Sequence, residues 1–153
     1  MHRLDEVDFK ILRRLQMDGR ISNQALAEAV NLSAAPCLRR VKRLEEAGVI
    51  KGYFAQVDQG ALGLDLMAFV HVSLNDHQPD SIQRLDDFVR DAEAIVEGYS
   101  VSGEYDFLLK VVVKDMAAME QFLIHDLMAL QTVRSANTTF VLRERKHSGI
   151  PLP

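Results

Sequence analysis

Between Ser33 and Arg43 the chain sets four permanent cations, Arg39, Arg40, Lys42 and Arg43, with no acid among them. Such side chains neither attack nor carry protons at neutral pH, so the chemistry they offer is ion pairing and hydrogen-bond donation. Arginine can grip a phosphate or a guanine edge through two parallel N–H bonds, and lysine can hold a phosphate as a point charge. Residue patterns for catalysis are absent elsewhere. The lone cysteine, Cys37, has no histidine near it in sequence and suits a packed position. His2, His71, His77, His125 and His147 show no metal-ligand spacing. No phosphate-cradling glycine loop, GxSxG elbow or dinucleotide fingerprint occurs.

The four cations can act together only if an element holds them on one face. At about 100° per residue, Cys37, Leu38, Val41 and Leu44 share one arc of a helix, and Pro36, Arg39, Arg40, Lys42 and Arg43 the opposite arc. Ser33 is an N-cap for that helix, Pro36 falls in its first turn, and Gly48 ends it. A shorter helix before it starts at Ser22 and carries Leu26, Ala29 and Val30, with Asn31 suited to a left-handed end. The connection between the two is tight enough for a helix-turn-helix. A first helix, capped by Asp5 and striped by Leu4, Val7, Ile11 and Leu15, would cover their apolar back. The third helix then offers a major groove its cations and its free N-terminal N–H groups. The candidate DNA contacts are Ser22, Asn23, Ser33, Ala34, Ala35, Pro36, Arg39, Arg40, Lys42 and Arg43. A basic face can also be a merely solvated one, but this face lies on the second helix of a helix-turn-helix.

The charge distribution agrees. Residues 1–60 hold ten Lys and Arg against eight Asp and Glu, net +2, and the remainder hold eight against fourteen, net −6, within a whole of −4. A mildly basic N-terminal part is followed by an acidic one. No apolar run is long enough to span a membrane, the start lacks an apolar signal core, and one cysteine forms no internal disulfide, so the expected compartment is the cytoplasm.

After Gly60 the pattern reads strand (66–74), helix (81–91), strand (94–102), strand (105–114), helix (115–130) and strand (132–146). That order, βαββαβ, is ferredoxin-like, so the fold class is α+β, with a winged-type helix-turn-helix domain followed by a ferredoxin-like regulatory domain. The expected boundaries are 1–50 for the first domain, 51–63 for a linker strand or hinge, and 64–153 for the second. The stretch VIKGYFAQVD (49–58) reads as a strand with a glycine bend, and HSGIPLP as a loose end or short packing arm. Two helices cover one face of the four-stranded sheet, leaving Met67, Phe69, Tyr99 and Leu108 on the other for a second copy of the sheet.

The stretch LDEVDFKIL…DGRISN…LSAAPCLRRVKRLEEAGVI, together with VSGEYDFLLKV, DMAAMEQF and TTFVLRERK, closely resembles the Lrp/AsnC (feast/famine) family of bacterial and archaeal transcription regulators. The resemblance covers nearly the whole chain. It implies dimers joined through the regulatory sheets, further assembly often to octamers, and paired helix-turn-helix units on a roughly palindromic duplex site. It also implies no cofactor, but a small effector, usually an amino acid, bound at interfaces between regulatory domains. The family's Gly-x-x-Asp turn falls on Gly103 and Asp106. The implied pocket is Tyr99, Val101, Ser102, Gly103, Glu104, Tyr105 and Asp106, with Met116 and Thr139 beyond them. Gly103 N–H groups could hold a carboxylate, and Asp106 or Glu104 an ammonium group; the same residues would also make a plain hairpin turn. The aliphatic surroundings make leucine or methionine the guess for the ligand. Siroheme decarboxylases resemble the same architecture and supply an enzyme alternative, for which the basic helix would have no use.

Overall fold

The computed structural model describes residues 4–153; of the residues discussed above, His2 lies outside them. The chain forms two compact units, one running to Gln56 and including Lys146–Pro153, the other Val57–Arg145.

The first unit is built on α1 (Glu6–Met17), α2 (Asn23–Ala29) and α3 (Ala34–Glu46). Asp5 opens α1 through a reciprocal box: its carboxylate accepts the Asp8 N–H at 2.9 Å, and the Asp8 carboxylate accepts the Asp5 N–H at 3.2 Å. The Ser22 hydroxyl oxygen accepts the Ala25 N–H at 3.1 Å and starts α2. Asn31 takes a left-handed φ of 57°, where its short amide side chain costs little, and this reverses the chain into α3. At the end of α3, Gly48 has φ 68°, and the N–H groups of Val49 and Ile50 both reach the Leu44 carbonyl. Ile11, Leu12, Leu26, Ala27, Val30, Cys37 and Leu44 form the core; Ala27, not the expected Ala29, faces inward. Leu152 packs against this core, so the tail assigned above to the second domain belongs with the first unit.

The second unit contains β1 (Leu66–Leu74), α4 (Pro79–Asp91), β2 (Ile95–Ser100), β3 (Phe107–Val113), α5 (Met116–Glu120) and β4 (Val133–Phe140). The sheet is antiparallel throughout, in the order β2-β3-β1-β4. This is the ferredoxin-like arrangement in an α+β chain. Ala68, Val70, Val72 and Leu74 of β1 and Phe107, Leu109, Val111 and Val113 of β3 point to the helices, where Leu85, Met119, Phe122 and Leu127 meet them. Gly98 allows close approach: a Cβ there would lie 2.9 Å from the Val89 side chain of α4. The alternate residues Met67, Phe69, His71, Leu108, Lys110 and Val112 face away from the helices.

Three expectations need correction. Residues 49–58 form no strand, because an extended segment is a strand only when another edge receives its N–H and C=O groups, and no edge among the described residues does. The last strand stops at Phe140 rather than continuing to 146. The helix expected over 115–130 begins with Asp115 capping Ala118 at 2.8 Å but widens into π turns over Gln121–Leu127.

Candidate nucleic-acid interface and effector turn

The N-terminal end of α3 is open to solvent: Ser33, Ala34 and Ala35 are exposed, and the Ser33 side chain makes no capping bond. Arg39 and Lys42 are exposed on the same helix and enter no ion pair among the described residues. Asn23 is drawn inward, its Nδ2 donating to the Ala34 carbonyl at 2.9 Å, so it fastens the turn between α2 and α3. Ser22 is occupied as the α2 cap. Pro36 is half-buried in the first turn of α3.

Arg40 and Arg43, unlike Arg39 and Lys42, are paired with acids. Arg40 Nη1 binds Asp5 at 2.7 Å and Asp8 at 2.8 Å, and Arg43 Nη2 binds the two Asp8 oxygens at 2.8 and 2.7 Å. The Asp8 side chain is only 1 % exposed, against 28 % and 40 % for the two arginines. Helix geometry explains Arg40: at about 100° per residue it lies only ~60° from the buried Cys37, on the flank of the core arc, whereas Arg43, ~120° from Cys37, stays on the outer arc and reaches Asp8 through its long side chain. Leu38 lies on the other flank and is 42 % exposed, not buried as its hydrophobicity suggested. The Asp8 N–H, and next to it the Arg40 guanidinium, hold the Asp5 carboxyl below the usual carboxylate range. Asp5 and then Asp8 raise Arg40 above its ordinary value. Sequence reasoning missed Asp8, though a signal was present. It follows Leu4 by four residues and precedes Ile11 by three, placing an acid in an apolar stripe that a buried partner must satisfy.

In the second unit the turn between β2 and β3 is held from within. Gly103 has φ 122°, a region that favours glycine. The Val101 N–H donates to the Asp106 carbonyl, and the Asp106 N–H to the Val72 carbonyl, each at 2.9 Å. Asp106 Oδ2 accepts the Leu74 N–H at 2.8 Å, and Oδ1 lies 2.8 Å from His77 Nε2. The His77 bond first, and the Leu74 N–H second, hold the Asp106 carboxyl below its ordinary range. His77 had not been singled out; it lies 29 residues before Asp106, and only the fold joins them.

Ser102, Gly103 and Glu104 are exposed, as are Tyr99 and Val101. The Tyr105 ring lies 4.9 Å from that of His71, tilted by 44°. The Tyr99 hydroxyl donates to Glu97 at 2.6 Å and Lys110 Nζ reaches the same carboxylate at 3.0 Å; the Glu97 bond raises the Tyr99 phenol above its ordinary value. Two other expected pocket residues are elsewhere. Thr139 stands opposite Phe69 on β4. Met116, 57 % exposed, follows the far end of β3, which the Gly103 turn precedes; seven residues of strand separate them by about 20 Å. One chain does not bring these groups together. No group of three or more His, Cys, Asp or Glu among the described residues could hold a metal ion.

A helix-turn-helix with an open cationic helix, joined to a βαββαβ unit with a glycine turn, defines a DNA-binding protein with a separate ligand-binding domain. Comparisons with known proteins agree over both parts. Residues 4–51 match a winged helix-turn-helix DNA-binding family model, and residues 67–151 match the Lrp/AsnC ligand binding domain. The chain is 45% identical over 143 residues to the leucine-responsive regulatory protein of Rhizobium meliloti, covering 94% of this chain and 92% of the relative. It is 43% identical over 146 residues to the protein of that name from Escherichia coli K12, covering 95% and 89%. A transcriptional regulator from Neisseria meningitidis, solved as a complex with L-methionine, superposes with TM-score 0.94 at 37% identity over 97% of each chain. The chain belongs to the Lrp/AsnC family of transcriptional regulators. The relatives are named as regulatory proteins, and the decarboxylase alternative finds no support among them.

Proposed function

We propose that this regulator binds duplex DNA through the N-terminal end of α3, with Arg39 and Lys42 on phosphates or base edges and Ser33, Ala34, Ala35 and Pro36 against the backbone or groove floor. The observation that carries this reading is the open surface of α3: Ser33, Ala34 and Ala35 are exposed at its N-terminal end, and Arg39 and Lys42, in no ion pair among the described residues, lie on the side opposite the buried Cys37 and Leu44. Ser22 and Asn23 then act by shaping the turn, and DNA contact of their own is secondary. No helix among the described residues is long and apolar enough to cross a membrane, and the expected place of work is beside DNA in the cytoplasm.

The ligand domain takes a small amino acid. The turn over Ser102, Gly103 and Glu104, flanked by Tyr99, Val101 and Tyr105, offers backbone N–H groups to its carboxylate and Glu104 to its ammonium group. Asp106 holds the turn. Methionine and leucine are the first ligands to try, since one similar structure is an L-methionine complex and several relatives are named leucine-responsive. The 20 Å between Met116 and the Gly103 turn argues for a pocket completed by a second copy. The sheet face bearing Met67, Phe69, Leu108 and Val112 is the surface for self-association into a dimer, and further assembly to an octamer follows the family. The domain limits we favour are a DNA-reading unit that includes the tail, a hinge over 57–65, and a ligand unit ending near Arg145.

The test is a thermal-shift screen of the twenty amino acids, followed by gel shifts of promoter duplexes with and without the best ligand. A ligand that binds only the native state raises the melting point by mass action. Failure of all twenty to shift the melt sinks the effector reading, and failure to retain any duplex at low salt sinks the DNA reading.

A further inference from the structure

We propose that Asp8 is a positioning residue for DNA recognition: its buried carboxylate locks Arg40 and Arg43 side by side so that their remaining N–H edges together grip one backbone phosphate. This rests on the DNA-reading role of α3.

The bracket is electrically balanced. Asp5 and Asp8 face Arg40 and Arg43, so the four groups add nothing to the net charge that steers a protein toward DNA. As a stabilising device it is also a poor choice. Moving a carboxylate and two guanidiniums out of water costs about as much as their attraction returns, and apolar side chains would fill the space as well. What the bracket supplies is geometry. The bonds to Asp5 and Asp8 occupy only Nη1 of Arg40 and only Nη2 of Arg43. The other donors of each planar group remain, on side chains 28 % and 40 % exposed. An arginine pinned at one edge has already lost most of its freedom before DNA arrives, so the opposite edge binds with less entropic loss. Arg39 and Lys42, exposed and in no ion pair among the described residues on the same helix, supply charge. Arg40 and Arg43, immobile, fix the height and angle at which α3 enters the groove. A carboxylate that never touches DNA thereby sets which bases the helix can reach.

The test separates specific from non-specific binding. Wild-type protein first selects a duplex from a randomised pool. Affinities of wild type, Asp8→Asn and Arg43→Lys are then measured for that duplex and for poly(dI-dC) at one salt concentration, below the melting point of each variant. Asp8→Asn adds one positive charge, so simple electrostatics predicts tighter binding to both duplexes. The positioning role instead predicts that the ratio of selected to poly(dI-dC) affinity falls by about 10- to 100-fold, because the base contacts that depend on the docking angle of α3 are lost with it. Arg43→Lys keeps the charge and leaves Asp8 paired to Arg40; it should lower the ratio by about tenfold, and it carries the test if Asp8→Asn does not fold. Ratios within about twofold of wild type, or parallel losses on both duplexes, overturn the inference. If wild type enriches no sequence at all, the DNA-reading role itself has failed, and the two failures are told apart.

Discussion

Removing the Asp106 carboxylate should unfasten the turn between β2 and β3, and the structure sets how much that costs. In Asp106→Ala the Leu74 N–H loses its acceptor at a residue only 1 % exposed. A buried donor left unsatisfied costs about 1–3 kcal/mol. The second partner, His77, is 68 % exposed, so that pair adds at most ~1 kcal/mol. The expected loss is therefore about 2–3 kcal/mol for Asp106→Ala and under ~1 kcal/mol for His77→Ala. Asp106→Asn keeps an oxygen for the Leu74 N–H and should lose about 1 kcal/mol. For a unit of this size each kcal/mol moves the midpoint by roughly 4–8 °C, so the alanine variant should melt at least ~8 °C early. The chain has no tryptophan, and far-ultraviolet circular dichroism at fixed protein concentration is the suitable probe. The pH dependence follows from the same contacts. A folded-state carboxyl held below its unfolded value contributes stability above about pH 4, which is lost as pH falls through the folded value; in Asp106→Asn that part of the acid sensitivity should vanish. The same variant separates bracket from ligand contact: the melting shift given by the best amino acid should survive in Asp106→Asn. An alanine variant within about 0.5 kcal/mol of wild type, a rough allowance for a neutral surface change, would refute the claim that Asp106 holds the turn. A stable asparagine variant that no longer responds to ligand would return Asp106 to the ammonium site.

Other outcomes follow from the same geometry. Arg39→Ala should leave the melt unchanged and reduce the slope of log affinity against log salt by about 0.9 for each helix docked on DNA; an unchanged slope removes Arg39 from the phosphates. Gly103→Ala forces a Cβ onto φ 122° and should cost the ligand unit on the order of 1 kcal/mol, read by urea unfolding. Leu152→Asp strips apolar cover from the first unit's core and should destabilise that unit by about 1–2 kcal/mol; an unshifted transition would make the tail a spectator. Phe69→Glu, on the face pointing away from the helices, should shift the protein toward monomer in sedimentation, and an intact dimer would move the interface elsewhere.

The two halves of the fold were legible in the residues because each rule involved is local. Asp5, Ser22 and Asn31 mark ends and turns through their own short side chains, and period-2 burial in β3 follows from strand geometry alone. Where the reading failed, the missing fact was a partner distant in sequence. Residues 49–58 have the composition of a strand, but pairing requires a second edge that the described residues do not provide. The tail reads as a loose end or short packing arm, and nothing in its seven residues announces which core Leu152 joins.

The cations of α3 show the division most clearly. Residue types alone determined that this helix is amphipathic, basic, and placed second in a helix-turn-helix, which is enough for DNA binding. Only the tertiary structure decided that two of the four cations are also held by acids of the first helix and its cap. Coulomb attraction acts through space and not along the chain, and only packing brings Asp5 and Asp8 of α1 within 3 Å of Arg40 and Arg43. The effector turn divides in the same way: its glycine and its acids are written in sequence, but the choice of which carboxylate is held and which is exposed waited for β1 to present the Leu74 N–H.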